Sequence, residues 1–223
     1  MADAQDILSS RLSTVASLIP ASDLVIDVGS DHGKLGAWCL SNEICPRLIA
    51  TDIHEAPAKR TESFLRLCGF SEVSQAVCTD GLTGIEIVDR TTVVIAGMGG
   101  LEIRKILSDY LEMHEKFPLD TTLVLQPQRS FYELRTFLQE NSIEIEKEAI
   151  VLDRGHYYVV IRAKMSEKVH KLTDAELFLG PYILSAKPER FEEYMEHQRK
   201  LMEKQALGDS RCKAVVENWE ALL

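Results

Sequence analysis

The sequence has no apolar run near the roughly 20 residues a membrane helix needs, and its opening, MADAQDILSSRL, has no apolar signal core. Neither a membrane nor a secreted protein is expected, and a cytoplasmic location is. Five cysteines, an odd number without a CxxC pair, support neither a disulfide framework nor a zinc ribbon. Six histidines lack ligand-like spacing, so no metal is expected. Positive charge is scarce: 25 Lys+Arg stand against 35 Asp+Glu, a net charge of −10 over 223 residues. That excludes a protein that takes nucleic acid by bulk charge alone. The deficit is uneven, with 9 basic and 11 acidic residues in 167–223 against 16 and 24 in 1–166. Repeats and low-complexity tracts are also missing, and a hydrophobic content of 45% is that of an ordinary globular chain.

What is present is alternation. An amphipathic helix is expected over 4–19, closed by Pro20. Short apolar runs at 24–28, 47–51, 73–77, 93–96 and 123–125 then read as strands. Helical stretches follow most of them, at about 33–42, 55–68, from Gly100, and at 130–140. This is the pattern of a parallel sheet with helices on both faces. After Asn141 it changes: runs at 143–152 and 157–161, joined by Asp153-Arg154-Gly155-His156, predict an antiparallel hairpin at the sheet edge. From Thr173 strands vanish. Charged helices at about 189–207 and 210–222 predict a small C-terminal α-helical subdomain, so the expected division is 1–166 and 167–223.

The first strand runs into Asp27-Val28-Gly29-Ser30-Asp31-His32-Gly33. A dinucleotide-binding turn needs G-x-G-x-x-G. Counted from Gly29, its second and third glycine positions hold Asp31 and Lys34. A carboxylate is electrostatically wrong where a pyrophosphate should rest. It suits a cofactor with cationic groups and no phosphate, such as S-adenosylmethionine, whose ammonium Asp27 and Asp31 could meet. Asp52 ends the second strand, where an acid can grip ribose hydroxyls. Asp80, before Gly81-Leu82, ends the third, where the adenine amino group would lie. Each aspartate alone could be a cap or turn residue; four at successive strand ends point to one ligand. Ala96-Gly97-Met98-Gly99-Gly100 implies close backbone approach after the fourth strand. Gln126 and Gln128, after the fifth, carry donors and acceptors that can read a base edge.

In order, RL-x-x-VA-x-L-IP (11–20), DVGSDHG (27–33), ATDI-x-x-x-P (50–57), DGL (80–82), IAGMGG (95–100) and LVLQP (123–127) resemble the bacterial tRNA adenine-22 N1-methyltransferases. The resemblance spans most of the chain. It implies a Rossmann-like class I methyltransferase sheet with a terminal antiparallel hairpin, S-adenosylmethionine as cofactor and tRNA as substrate. It places Asp27, Gly29, Ser30, Asp31, His32, Asp52, Ile53, Asp80, Gly81, Leu82, Ala96, Gly97 and Met98 in or near the cofactor site. The chain departs from the family pattern at Gly33-Lys34-Leu35-Gly36, at Asp52 in place of a common glutamate, and at Gln128 in place of a common asparagine. Adenine N1 can attack the methyl directly, so base-positioning groups are expected rather than a general base, with Gln126, Gln128 and His32 the candidates. Arg11, Lys34, Arg104, Arg129 and Arg135 are expected to face tRNA phosphates, helped by Arg199, Lys200, Lys204, Arg211 and Lys213 of the tail. Because fold does not fix substrate, a small-molecule or protein methyltransferase, or a cofactor-binding module without activity, stay open beside it.

Overall fold

In the computed structural model, which describes residues 8–168 and 170–223, a seven-stranded sheet runs in the order β3-β2-β1-β4-β5-β7-β6. The strands are β1 (Leu24–Val28), β2 (Leu48–Asp52), β3 (Ser74–Cys78), β4 (Thr91–Met98), β5 (Thr122–Pro127), β6 (Ile143–Asp153) and β7 (His156–Met165). The first five pair in parallel, and β7 is antiparallel to both β5 and β6. The expected Rossmann-like α/β sheet with its terminal hairpin is therefore what forms.

Every position of β1 is buried, because helices cover both faces of a parallel sheet. Leu24, Ile26 and Val28 join Val93, Ile95, Leu123 and Leu125 under α4 (Gly100–His114) and α5 (Phe131–Glu140). Val25 joins Val94, Val124 and Val160 under α1 (Ser10–Ser17), α2 (Lys34–Ser41) and Leu65 of α3 (Glu55–Leu67). Side chains alternate along a strand, so Asp27 continues the stripe of Val25 toward the carboxyl edge. The helix expected over 4–19 is observed as α1; residues 4–7 lie outside those described.

The tail contains two short helices that the strand and helix patterns of the sequence did not predict, α6 (Asp174–Leu179) and α7 (Pro181–Ala186), before α8 (Phe191–Gln205) and α9 (Ser210–Glu217). Gly180 ends one and Pro181 begins the next at a position where proline's missing N–H costs nothing. A capping box between Thr173 and Glu176 starts α6, a signal that is present in the sequence. Leu179, Ile183, Tyr194, Met202 and Trp219 of the tail merge into the same core as β5, β7 and α5.

One buried ion pair fastens this junction. Arg135 of α5 and Glu148 of β6 both have 0% side-chain exposure, with Nη2 2.8 Å from Oε1. Arg135 Nε donates to the same oxygen at 3.0 Å, and Nη1 donates to the carbonyls of Leu177 and Phe178. Glu148 Oε2 accepts the N–H groups of Tyr182 and Ile183 at the start of α7. Arg135 therefore does not face tRNA phosphates as expected. A buried arginine reads like a surface one until the acid that accompanies it is placed by folding. Arg135→Ala would leave Glu148 buried without a counter-charge and should lower stability by about 3–5 kcal/mol. Urea unfolding measures this, and Arg135→Met with Glu148→Leu should recover part of the loss; a wild-type midpoint for Arg135→Ala would contradict the assignment.

Candidate functional site

Strand order reverses between β1 and β4, which opens a crevice beyond their carboxyl ends. Gly29 makes the turn out of β1 at φ +72, and its N–H donates to the Thr51 carbonyl at 2.8 Å. A Cβ there would meet the terminal methyl of Met98, the movable end of a flexible side chain, so it is the positive φ of the turn that favours glycine. The resulting cavity, of about 380 Å³, has Asp27 and the Gly29–His32 loop on one side and Lys34 and Leu35 beside them. Ala96 and Gly97 of β4 form a second wall, and Ser9, Arg11 and Leu12 at the start of α1 form a third. Ser9 was missed in the sequence; it caps α1 by accepting from the Leu12 N–H at 3.3 Å.

Asp27 is 5% exposed. Its carboxyl has no hydrogen-bond partner among the described residues, and burial pushes its pKa up to about 7. A carboxylate walled into a cavity without a cation is an incomplete ion pair. Asp31 and His32 are exposed at the mouth; His32 Nε2 is 3.4 Å from Asp31, which also meets Arg60 at 3.2 Å. Among the described residues no three His, Cys, Asp or Glu side chains form a metal-binding group.

Gln126 is 0% exposed. Its Oε1 accepts from Arg11 Nη1 at 2.6 Å and from the Gly97 N–H at 3.1 Å, and its Nε2 donates to the Pro127 carbonyl at 2.9 Å. Both lone pairs of its oxygen and one of its two N–H donors are used inside the protein, so it does not present its edge to a base, contrary to expectation. Gln126 is still inside β5, beside Ala96 and on the same buried stripe as Val124. Gln128, two residues on, is exposed, and its backbone N–H donates to the Met98 carbonyl at 2.9 Å.

The remaining candidates are spread along the same carboxyl edge, outside this cavity wall. Asp52 accepts the His54 N–H at 3.0 Å, and Ile53 is exposed. Asp80 is exposed, 3.9 Å from Lys105. The Gly81 carbonyl accepts from Thr51 Oγ1, and Leu82 is packed into the core. Arg129 lines a groove of about 500 Å³ together with Phe131, Tyr132, Phe178 and Arg211. Arg104 lines an adjoining depression. Lys34, Arg104 and Arg129 form no ion pair among the described residues. In the tail, Arg199, Lys200, Arg211 and Lys213 are all neutralised by neighbouring acids, and Lys204 alone of the five expected phosphate ligands there has no such acid among the described residues.

Residues 8–161 match the family model described as a methyltransferase domain. A Bacillus subtilis tRNA (adenine(22)-N(1))-methyltransferase is 28% identical over 184 residues, 81% of this chain and 76% of that protein. The crystal structure of the B. subtilis m1A22 tRNA methyltransferase superposes with a TM-score of 0.77 at 25% identity, covering 96% of this chain and 97% of that one. A Streptococcus pneumoniae protein, described as a candidate tRNA (m1A22) methyltransferase and solved with S-adenosyl-L-methionine, gives a TM-score of 0.81 at 26% identity, with coverage of 96% and 97%.

The Asp27 carboxyl titrates near 3.8 in its ordinary state and near 7 in the folded protein. Its proton thus contributes stability that is fully present below about pH 4 and is lost as pH rises through 7. Thermal unfolding across this range should show wild type losing up to about 1.4 kcal/mol per pH unit relative to Asp27→Asn. Parallel curves for the two proteins would contradict an isolated buried carboxyl.

Proposed function

The chain belongs to the methyltransferase-domain family, and from that premise we propose that it transfers the methyl group of S-adenosylmethionine to N1 of adenine 22 in tRNA. The observation that carries this reading is the unpartnered Asp27 carboxyl inside the cavity at the β1/β4 reversal. A pyrophosphate would be repelled there, whereas the ammonium of S-adenosylmethionine completes the missing ion pair. Asp52 and Asp80, at the ends of the next two strands, would hold the ribose hydroxyls and the adenine of the cofactor. When bound, S-adenosylmethionine supplies an electrophilic methyl group.

The chain's own residues then have to position and to exclude water rather than to move protons. Neutral adenine carries a lone pair on N1, so no side chain has to remove a proton before attack, and catalysis rests on alignment. Gln128, exposed just past β5, would meet the base in this reading, and the base must leave its stack to reach the site. Lys34, Arg104 and Arg129, which form no ion pair among the described residues, flank the motif loops and are the phosphate ligands in this reading. No helix among the described residues is long and apolar enough to cross a membrane, and a tRNA substrate puts the enzyme in the cytoplasm.

The test is methyl transfer from labelled S-adenosylmethionine to unmodified tRNA transcripts, followed by nucleoside analysis and position mapping. N1-methyladenosine should appear at position 22, and a transcript with guanine there should be inert. A protein that binds the cofactor yet makes no N1-methyladenosine in any tRNA would contradict the proposal; methylation of a small molecule or protein instead would replace it. Replacing Arg104 and Arg129 by alanine should raise KM for tRNA and leave KM for the cofactor unchanged. The salt slope of tRNA binding should fall by about 1 for each phosphate no longer neutralised.

A further inference from the structure

We infer that Tyr158, on the overhanging tip of the β6/β7 hairpin, is the platform on which the target adenine stacks after it leaves the tRNA helix. This rests on the adenine N1-methyltransferase reading proposed above. It gives the flat face of the base a partner, where Gln128 offers one only to its edge.

The hairpin reaches farther than the strands beside it. β5 and β7 pair from Thr122↔Lys164 to Leu125↔Ile161. β6 and β7 stay paired out to Asp153↔His156. The start of β7 therefore stands beyond the carboxyl edge of the sheet, at the end where the crevice opens. Continued three residues past Leu125↔Ile161, the same register brings Tyr158 level with Gln128. Side chains alternate along a strand, and Val160 lies on the face of the sheet that carries Val25. Tyr158 thus shares the side of Asp27 and the cavity. Tyr157 takes the other side, with Val159 and Ile161. It packs against His197 and Tyr194 of α8, with ring centroids 5.2 and 6.1 Å away, and its hydroxyl donates to Glu193 at 3.2 Å. The two neighbouring tyrosines have different tasks: Tyr157 fastens the hairpin to the tail, and Tyr158 is left for a ligand.

Tyr158 is half-buried, and its ring is held before any base arrives. Arg11, a wall residue of the cavity, places its guanidinium over the ring, 5.5 Å from the centroid. Gln126 fixes that guanidinium in turn, at 2.6 Å. His156, the one ring neighbour of Tyr158 among the described residues, meets it edge-on at 6.5 Å and 63°. A ring already ordered by its neighbours costs little further entropy when a base settles on it. Arg11 covers one face, so the adenine takes the other. Arg154, exposed at the same tip and without an ion pair among the described residues, adds a cation beside the backbone of a displaced nucleotide.

The experiment compares wild type, Tyr158→Phe and Tyr158→Leu in methylation of a tRNA transcript, with cofactor affinity measured by calorimetry in each. Tyr158→Phe keeps the ring and should stay close to wild type. Tyr158→Leu has no ring and should lose roughly fivefold to a hundredfold in kcat/KM for tRNA, the loss expected of one base stack. Both should keep wild-type cofactor affinity. A transcript with 2-aminopurine at the target position reads the stack itself. Its fluorescence should stay quenched on wild type and Tyr158→Phe, and rise several-fold on Tyr158→Leu. Undiminished methylation by Tyr158→Leu, or equal quenching in it, would overturn the inference. So would a fall in cofactor affinity that accounts for the lost rate, since the ring would then serve Arg11 alone. A wild type that makes no N1-methyladenosine is a separate result: there the proposed function fails, and this inference with it.

Discussion

A carboxyl group without a partner, buried at the end of the central strand, is the constraint around which the site is arranged. Burying Asp27 costs free energy that a leucine in the same stripe would not. The fold can absorb that cost because the rest of β1 is wholly apolar and both faces of the central sheet are covered. The Gly29 turn that follows is pinned to the Thr51 carbonyl, which fixes the strand end from which the carboxyl meets the cavity. The group therefore keeps its proton near neutrality or finds a cation.

The same constraint explains the charge of the chain. An excess of acid looks hostile to an RNA substrate, and two features soften it. Asp27, Asp31, Asp52 and Asp80 are grouped along one sheet edge, where a cationic ligand rather than RNA would meet them. The basic residues also divide by company. Four of the five tail cations expected at phosphates are cancelled by Glu196, Glu203, Asp209, Glu217 and Glu220, while Lys34, Arg104 and Arg129 have no such neighbours among the described residues. Local pairing, more than the net count, decides where a polyanion can be held.

Much of this was legible in the sequence, and the failures share a cause. Strand runs, the hairpin and the glycine turn after Asp27 are local patterns, so periodicity and spacing found them within a few residues. Gln126 and Arg135 depend on which way a side chain faces and on a partner far along the chain. Gln126 looks the same as Gln128 in a strand-end motif, and what separates them is where β5 stops: Gln126 is inside the buried strand, and Gln128 lies past its end at Pro127. Arg135 resembles any helix-surface arginine until Glu148 and the α6 carbonyls are brought to it. Arg11 lies in a recognisable motif, but its place on the cavity wall follows from α1 docking across β5 and β7, a tertiary fact.

The most direct measurement is a carboxyl-carbon NMR titration of Asp27, with and without S-adenosylmethionine. In the free protein the resonance should titrate near 7, as burial without a partner requires. With the cofactor bound, the midpoint should fall by several pH units as the ammonium takes up the charge. A midpoint near the ordinary 3.8 in the free protein, or one that the cofactor leaves unmoved, would contradict the account.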